Sequence, residues 1–268
     1  MKGIENIEYL VIEYSDKIVK KRWKGKIIDR EKWQKDLLES LKFTDIHRGE
    51  KVIKVEKGKV ITDKGRYRAD YVVGAEGPLS VVRRSFKLKT SPVLPAINVR
   101  LPLRKRIENT YIFFLPEIEK GYGWLFPRGE YANVGIGSST KLKERVDFFV
   151  DFLYKRGLVS KESVVSSVGF IPLYEFIPVV NVKTFLIGDA AGLTDPLTGA
   201  GIYQSYDSAR MLAKVLKGER ELKDYVKEMG KTYGRFLTRR HEKRILFEKK
   251  WKDLEKAVEE SWISTFRG

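Results

Sequence analysis

A chain of 268 residues with 42% hydrophobic residues is long enough to bury a core, either as one large domain or as two smaller ones. It has no cysteine and only two isolated histidines, His47 and His241, which excludes disulfides, thiolate nucleophiles and metal sites built from Cys or clustered His. A formal net charge of +17 favours a polyanionic partner such as anionic lipid, although a solvated charged surface explains it as well.

The positive charge is not accompanied by a nucleic-acid-binding motif, because zinc-finger spacing, an aromatic RNA-binding signature and a dense basic tail are all missing. No apolar run approaches the roughly 18 residues needed to cross a bilayer, and the charged N-terminus lacks the apolar stretch of a signal peptide. We expect a cytoplasmic protein that is at most peripheral to a membrane. Abundant Lys, Arg and Glu with few Met are typical of thermophile proteins.

The first predicted elements are a hairpin and a helix. Residues Ile7–Tyr14 and Ile18–Ile28 alternate or cluster apolar side chains around a short polar turn, which is typical of paired strands. Asp29 is a helix-cap residue ahead of the helical pattern Arg30–Leu41. We expect this helix to pack by one apolar face, formed by Trp33, Leu37, Leu38 and Leu41.

Short β-rich runs then lead to a buried strand that ends in a glycine-rich turn. The sequence here is Asp70-Tyr-Val-Val-Gly-Ala-Glu-Gly-Pro-Leu-Ser-Val-Val-Arg83. The strand covers Tyr71–Val73, and a helix is expected to begin near Ser80. Taken alone, this stretch also fits a plain tight turn between a strand and a helix.

Between residues 92 and 176 the chain changes to longer strands rich in aromatic residues, followed by a helix. A largely antiparallel sheet with one covering helix fits this pattern. The predicted strands are Ala96–Leu101, Thr110–Leu115, Gly123–Pro127 and Ala132–Ser138, and the predicted helix is Leu142–Leu158.

Three aromatic residues recur at alternate positions in the third of these strands. Alternation places Tyr122, Trp124 and Phe126 on one face of the strand. Such a row can line a slot for a long apolar chain, because a flat aromatic wall supplies burial without demanding hydrogen bonds. It can also be half of the core of the sheet, and periodicity alone favours the core.

The most informative stretch is Phe185-Leu-Ile-Gly-Asp-Ala-Ala-Gly-Leu-Thr-Asp-Pro-Leu-Thr-Gly-Ala-Gly-Ile202. A buried strand, Thr184–Ile187, runs into Gly188 and Asp189 and then into a glycine-rich loop. A carboxylate at a strand end can accept hydrogen bonds from the hydroxyls of a sugar or polyol.

That loop passes through Pro196 and enters a helix that begins near Ile202. Gly199 and Gly201 let backbone N–H groups approach an electron-rich ligand where the helix dipole is positive. An ordinary strand–loop–helix connection is the alternative explanation of a bare Gly-Asp pair. A basic helical segment follows, and we expect it to pack on the domain, with capping of a substrate slot or contact with anionic lipid as the alternatives.

These patterns resemble the FAD-dependent reductases and monooxygenases with the p-hydroxybenzoate hydroxylase fold, and especially the geranylgeranyl reductase family. The stretch Phe185–Ile202 resembles their second flavin-binding motif, which implies that Asp189 binds the ribityl chain of FAD and that Pro196–Ile202 lies along the isoalloxazine. The run Gly121–Pro127 resembles the reductases more closely than the hydroxylases, with Glu119 as a departure from the usual Pro.

Two other positions follow from the same resemblance. The stretch Asp70–Arg83 resembles the family's middle motif near the pyrophosphate, with Glu76 in place of the usual Asp, and Arg30 matches an arginine that approaches the phosphate and ribityl region. No proton donor is evident, so no catalytic residue is assigned. The implied FAD contacts are Arg30, Glu76, Gly77, Arg83, Gly188, Asp189, Pro196, Gly199, Gly201 and Ile202, and the implied substrate contacts are Tyr122, Trp124 and Phe126.

The implied fold is mixed α+β and α/β. Residues 1–90 and 181–217 are expected to form a partial FAD-binding domain, residues 91–180 an antiparallel-sheet substrate domain, and residues 218–268 a C-terminal helical region. The FAD-binding domain is partial because family members open with a strand, GxGxxG and a helix that hold the ADP pyrophosphate, and the sequence has no such unit.

The implied activity is FAD-dependent reduction of isoprenoid double bonds in membrane lipids or prenyl diphosphates, by hydride transfer from reduced FAD. A flavin monooxygenase of the same fold and a non-catalytic remnant or binding subunit are the alternatives. We expect a separate dinucleotide-binding polypeptide, or else a homodimer, to complete the FAD site. Anionic membrane is a further possible partner, and nucleic acid is not expected.

Overall fold

The computed structural model describes residues 3–266. The strands are β1 (Gly3–Tyr14), β2 (Lys17–Ile28), β3 (Val52–Glu56), β4 (Lys59–Thr62), β5 (Arg66–Arg68), β6 (Val72–Gly74), β7 (Val93–Pro102), β8 (Thr110–Phe114), β9 (Tyr122–Arg128), β10 (Tyr131–Gly137), β11 (Val165–Pro172), β12 (Val179–Asn181) and β13 (Thr184–Leu186). The helices are α1 (Arg30–Glu39), α2 (Val81–Ser85), α3 (Leu142–Lys155), α4 (Ile202–Leu216), α5 (Leu222–Met229), α6 (Arg235–Lys249) and α7 (Leu254–Ser261).

The described residues divide into two compact units. The first contains the chain up to Ile46, Pro95–Gly169 and the chain from Phe247 onward, and the second contains His47–Leu94 and Phe170–Leu246. The chain therefore passes from one unit to the other four times. The predicted boundaries at residues 90 and 180 divide the chain differently, since they assign the first 46 residues to a cofactor domain.

Strand pairing explains why those residues join the first unit. Its sheet has the order β11-β7-β10-β9-β8-β1-β2, and the predicted antiparallel pairing of its central strands is confirmed. The predicted hairpin of β1 and β2 is also confirmed, but β1 extends the sheet by parallel pairing with β8, where Ile12 lies opposite Ile112. The sequence pattern does not predict that parallel pairing.

The two faces of this sheet have different surroundings. One face packs on α3, and the Cβ of an alanine at Gly123 would lie 2.5 Å from the Phe149 ring, so a glycine is needed for the helix to approach. We call the opposite side the aromatic face, because it carries Tyr122, Trp124 and Phe126. The core on the α3 side includes Val99, Leu101, Leu125, Ala132, Val134, Ile136, Phe149 and Leu153.

The C-terminal segment closes one end of the aromatic face. Its Phe247 and Trp262 rings pack on Phe114, with ring centroids 5.5 and 5.0 Å away, and Trp262 also lies 5.0 Å from Tyr122. The prediction that this helical segment packs on the domain is confirmed, since Phe247 and Val258 are fully buried.

The helix α1 has the predicted cap but not the predicted packing. Asp29 accepts a hydrogen bond from the Lys32 N–H at 3.2 Å, as expected of a cap residue. No residue of α1 is buried, however, and Leu37 and Leu41 are about half exposed. The expectation that this helix packs by its apolar face is wrong for the described residues, because Trp33 and Leu38 are only half-buried and the other two residues of that face are exposed.

The second unit is built around two small sheets, one with the order β12-β13-β6 and one with the order β3-β4-β5. In the first of these, β13 and β6 are parallel, with Thr184 opposite Val72 and Leu186 opposite Gly74. Helices α4 and α5 contribute to the core on which this sheet packs. That core includes Phe185, Leu186, Ala190, Leu193, Met211, Leu212, Tyr225 and Met229. No helix among residues 3–266 is both long and apolar enough to span a membrane.

The close approach at Gly123 gives a test of the first unit. We expect Gly123→Ala to lower the free energy of unfolding by about 1–3 kcal/mol, because the added methyl overpacks a fully buried ring. Gly169→Ala is the matched control, since its added Cβ would meet no atom within 4 Å. Denaturant titrations of both variants measure the effect, and equal stabilities would contradict the packing described.

Candidate functional site

Two sequence motifs begin at the carboxyl ends of the parallel strands of the second unit, at the same end of their sheet. The middle motif follows β6 and the glycine-rich motif follows β13, and the Ile187 N–H donates to the Gly74 carbonyl at 3.0 Å just beyond the last paired residues. Ligands of such sheets bind outside the carboxyl ends of parallel strands. The pairing therefore brings Glu76 and Asp189 to the edge where a ligand is expected.

A glycine allows β13 to turn sharply against α4. Gly188 has φ +54° and begins a 3₁₀ turn that ends at Ala191, and a Cβ on it would lie 2.6 Å from the Ser205 hydroxyl. The Gly188 N–H donates to the buried Ser208 hydroxyl at 3.2 Å. These contacts fix the position of the next residue, Asp189.

The half-buried Asp189 carboxylate has one oxygen occupied and one available. Its Oδ1 accepts a hydrogen bond from the Thr194 hydroxyl at 2.5 Å. A Cβ on Gly201 would lie 3.0 Å from the same oxygen, so the glycine keeps the space beside the carboxylate open. Among the described residues, no donor contacts Oδ2, which leaves that oxygen for the hydroxyls of a ligand.

The loop after Thr194 is held closed by the carboxylate of Asp195. This buried group accepts hydrogen bonds from the Leu197 N–H at 2.9 Å and the Thr198 hydroxyl at 2.8 Å. Backbone bonds from Asp195 to Ala200 and from Gly199 to Asp195 close the turn, and Gly199 takes a positive φ of 71°. The loop therefore has a fixed backbone before it enters α4.

A buried ion pair ties the same loop to α6. The Arg240 Nε lies 3.4 Å from the Asp195 carboxylate, and both side chains are largely buried. The sequence did not indicate this contact, because Arg240 lies in a run of basic residues that look alike on a helix.

The helix α4 begins at Ile202 without a side-chain cap. Its N-cap residue is Gly201, which offers no side-chain acceptor. The N–H groups of the first turn are thus left for water or for an acceptor on a ligand, at the positive end of the helix dipole. Ile202 and Tyr203 are exposed at this end.

In the middle motif, Glu76 caps a short helix. Its Oε1 accepts hydrogen bonds from the Ser80 hydroxyl at 2.6 Å and the Val82 N–H at 2.8 Å, at the start of α2. Gly77, with φ +87°, allows the turn between the strand and this cap. The middle motif predicts Glu76 near a cofactor, and in the structure its carboxylate caps α2.

Arg83 is buried and joins the two motifs. It is 1% exposed, and its guanidinium donates to the backbone carbonyls of Ala190 at 2.7 Å, Lys89 at 2.7 Å and Glu175 at 2.5 Å. Burial lowers the pKa of this guanidinium. Since three carbonyls use its donors, Arg83 positions the turn that carries Asp189.

The predicted FAD contacts fall into two groups. Arg30 is an exposed residue at the start of α1, in the first unit. The others belong to the second unit, and they are Glu76, Gly77, Arg83, Gly188, Asp189, Pro196, Gly199, Gly201 and Ile202.

The aromatic row of the first unit divides into a buried end and an accessible end. Tyr122 is 6% exposed, whereas Trp124 and Phe126 are half-buried. The Trp124 Nε1 donates to the Asn98 Oδ1 at 3.1 Å, and a Cβ on Gly135 would lie 2.3 Å from its ring, so the indole lies close over β10. Tyr122 therefore belongs to the core, and the other two aromatic residues offer a surface.

Several residues of the site were not found from the sequence. Thr194 and Ser208 are polar residues close to a glycine-rich turn, and that proximity is a usable signal. Asn98 and Arg240 are remote in sequence from their partners, and no local pattern identifies them. No group of three or more His, Asp or Glu residues within the described chain could hold a metal ion.

Comparison with curated proteins identifies several relatives that share one name. No family model matches the chain. It is 31% identical over 249 residues to the digeranylgeranylglycerophospholipid reductase of Thermoplasma acidophilum. This match covers 83% of this chain and 62% of that protein. It is 33% identical over 141 residues to the enzyme of the same name from Methanocaldococcus jannaschii, covering 50% of this chain and 36% of the relative. The chain thus spans less than two thirds of the relatives that it matches.

Comparison with solved structures supports the fold. A geranylgeranyl bacteriochlorophyll reductase-like protein from Thermoplasma acidophilum superimposes with a TM-score of 0.72 at 21% identity, over 99% of this chain and 82% of that chain. A probable FAD-dependent monooxygenase from Pseudomonas aeruginosa gives a TM-score of 0.69 at 12% identity, over 96% of this chain and 81% of that chain. The predicted fold of FAD-dependent oxidoreductases is therefore confirmed. The chain is thus similar to the geranylgeranyl reductases in its motifs and in its sequence, and to FAD-dependent oxidoreductases in its fold.

Proposed function

We propose that this chain binds FAD and a prenyl lipid in a reductase that saturates isoprenoid double bonds of membrane lipids or prenyl diphosphates. Its relatives named digeranylgeranylglycerophospholipid reductase support this function. The observation that carries the proposal is the Asp189 carboxylate, which is held in place at the end of a parallel strand and keeps one oxygen available.

The residues present fit a flavin. The free Asp189 oxygen can accept hydrogen bonds from ribityl hydroxyls, and the space that a Cβ on Gly201 would fill is left open beside it. The uncapped start of α4 can stabilise negative charge on a reduced ring. Bound FAD would supply the hydride. Arg83 and Thr194 act indirectly, because they position the turn and the carboxylate.

The outer edge of β6 supports the proposal that another polypeptide segment completes the cofactor site. β6 is the last strand of its sheet although it pairs in parallel, and strands in parallel sheets are usually covered on both sides. Tyr71 and Val73 at this strand are exposed by 50% and 37%. We propose that a strand with a glycine-rich loop, from a separate polypeptide or a second copy, pairs here and holds the pyrophosphate.

Peripheral contact with anionic membrane is also proposed, from the edge strand β2. Lysines at a sheet edge commonly prevent aggregation, but Trp23 and Ile18 on the same strand are more than half exposed. An exposed tryptophan between cations suits the boundary of a lipid bilayer. The basic residues of β2 are Lys17, Lys20, Lys21, Arg22, Lys24 and Lys26.

A monooxygenase of the same fold is the second candidate, because one structural neighbour is described as a probable FAD-dependent monooxygenase. The sequence relatives favour the reductase. A non-catalytic binding subunit is the remaining alternative, and it requires that no flavin is bound in any assembly.

The first test concerns Asp189. In an assembly that binds flavin, Asp189→Ala should weaken flavin binding by about 1–3 kcal/mol, because charge-assisted hydrogen bonds are lost. Asp224→Ala, which removes an exposed carboxylate on α5, is the control and should bind flavin normally. Flavin fluorescence titration measures both, and an unchanged affinity for Asp189→Ala would show that the assignment is wrong.

The second test separates the two ends of the aromatic row. Trp124→Ala should impair turnover of long prenyl substrates, leave flavin content unchanged and destabilise the fold less than Tyr122→Ala, because its ring is only half-buried. Tyr122→Ala should instead destabilise the fold by about 3–5 kcal/mol, as is typical of a buried aromatic residue. Thermal melts and flavin absorbance on the same samples distinguish these outcomes, and unfolding of Trp124→Ala would support a core role.

The third test concerns completion of the site. The chain alone offers the ribityl and ring contacts without the pyrophosphate cradle, and each 1.4 kcal/mol lost reduces affinity about tenfold. We therefore expect this polypeptide to be purified colourless and to bind FAD tightly only with a partner that supplies a dinucleotide-binding unit. A yellow monomer with stoichiometric FAD would contradict this expectation.

A further inference from the structure

The aromatic face carries polar side chains beside the accessible end of its aromatic row. In the antiparallel register, Asn98 is aligned through β10 with Trp124, and Arg100 is aligned through Asn133 with Phe126. Residues directly opposite in antiparallel strands share a face. The hydrogen bond between Trp124 and Asn98 agrees with this alignment.

Arg100, on the same face, makes no side-chain hydrogen bond or ion pair within the part of the chain that the structure describes. It is half-buried, and its Nε is shielded from solvent with no hydrogen-bond acceptor in the structure. No described carboxylate lies within ion-pair distance of its guanidinium. A buried donor that lacks an acceptor is unfavourable, so this position is suited to a ligand that brings an acceptor.

A second arginine lies at the end of the same row. Arg128 follows Phe126 on this face, and its Nη2 lies 2.7 Å from the Asp29 carboxylate. The Lys32 N–H, together with the charges of Arg128 and Arg100, lowers the pKa of Asp29, so the carboxylate is ionised at neutral pH. Two arginines and one carboxylate leave a net positive charge at this end.

The order and spacing of the aromatic residues and the arginines match an amphipathic ligand. Strands rise about 3.3 Å per residue, so Phe126 lies roughly 13 Å from Tyr122 along β9, and Arg128 lies roughly 20 Å from it. An apolar aromatic row thus ends in positive charge. A lipid with one apolar chain and an anionic head matches that order.

Space for a head group continues past the arginines. Pro102 and Tyr131, which are the next aligned pair on this face, line an open cleft of about 630 Å³. The cleft is bordered by more cationic than anionic side chains, namely Arg104, Lys105 and Arg106 against Glu5 and Glu130.

We propose that Arg100 binds the phosphate or diphosphate head of the prenyl substrate, with Arg128 in support, while the chain lies along Trp124 and Phe126. This inference rests on the proposed function. Arginine suits the role because its planar guanidinium donates two parallel hydrogen bonds to phosphate oxygens. The terminal N–H groups of Arg100, which make no ion pair with a described carboxylate, are the donors offered to the head group.

Binding measurements on the full chain test the inference without flavin. The probes are geranylgeranyl diphosphate, the matching alcohol geranylgeraniol, and inorganic pyrophosphate, each titrated by calorimetry. We expect the unsubstituted chain to bind the diphosphate more tightly than the alcohol. Arg100→Gln should lower affinity for the diphosphate about tenfold or more and leave the alcohol unaffected, because only the charged head loses its partner.

Further variants keep the test decisive. Arg100→Lys should retain part of the preference for the diphosphate. If Arg100→Gln does not fold, Arg128→Gln replaces it in the test and should reduce the same preference. Lys143→Gln, which changes an exposed cation on α3, is the control and should alter nothing.

The outcomes separate this inference from the proposed function. Equal loss of diphosphate and alcohol binding in Arg100→Gln would mean that Arg100 supports the fold and does not bind the head group. Pyrophosphate binding as tight as that of the lipid diphosphate would indicate a free phosphate site and overturn the lipid assignment. If the alcohol and the diphosphate bind equally well, only this inference fails, and if neither binds, the prenyl-substrate proposal fails with it.

Discussion

Parallel pairing of β6 with β13 is the constraint on which the candidate cofactor site depends. Because of this pairing, the loops that follow the two strands begin at the same end of the sheet. The buried Arg83 then holds these loops together through hydrogen bonds to three backbone carbonyls. Loss of that guanidinium would leave the buried Ala190 carbonyl and two partly buried carbonyls without these donors, at a cost of about 1–3 kcal/mol for the buried one. The position of Asp189 therefore depends on an arginine that is too buried to serve as an exposed ligand contact.

The first unit depends on two glycines in neighbouring strands. Gly123 admits the Phe149 ring from α3, and Gly135 admits the Trp124 indole on the other side of the sheet. Because α3 and its core cover the first of these sides, the C-terminal segment packs on one end of the aromatic face and the other end is only half-buried. The proposed lipid path begins where burial by Phe247 and Trp262 stops.

Local patterns predicted the elements of this fold better than the contacts between them. The hairpin, the central antiparallel strands and α4 follow from periodicity and turn residues, whereas the pairing of β1 with β8 joins segments about 100 residues apart that carry no shared signal. The motif placed Asp189 at a strand end, but periodicity could not separate buried Tyr122 from accessible Trp124. Contacts made by Arg83, Arg240 and Asn98 depend on tertiary packing, which a single sequence does not display.

The proposed reductase and its monooxygenase alternative differ in what happens to the substrate, so the product decides between them. The most direct measurement is mass spectrometry of a geranylgeranyl phospholipid after incubation with the completed, chemically reduced flavoprotein. The reductase account predicts a gain of two hydrogen atoms for each double bond that reacts. Gain of an oxygen atom, or an unchanged lipid in an assembly that retains FAD, would contradict it.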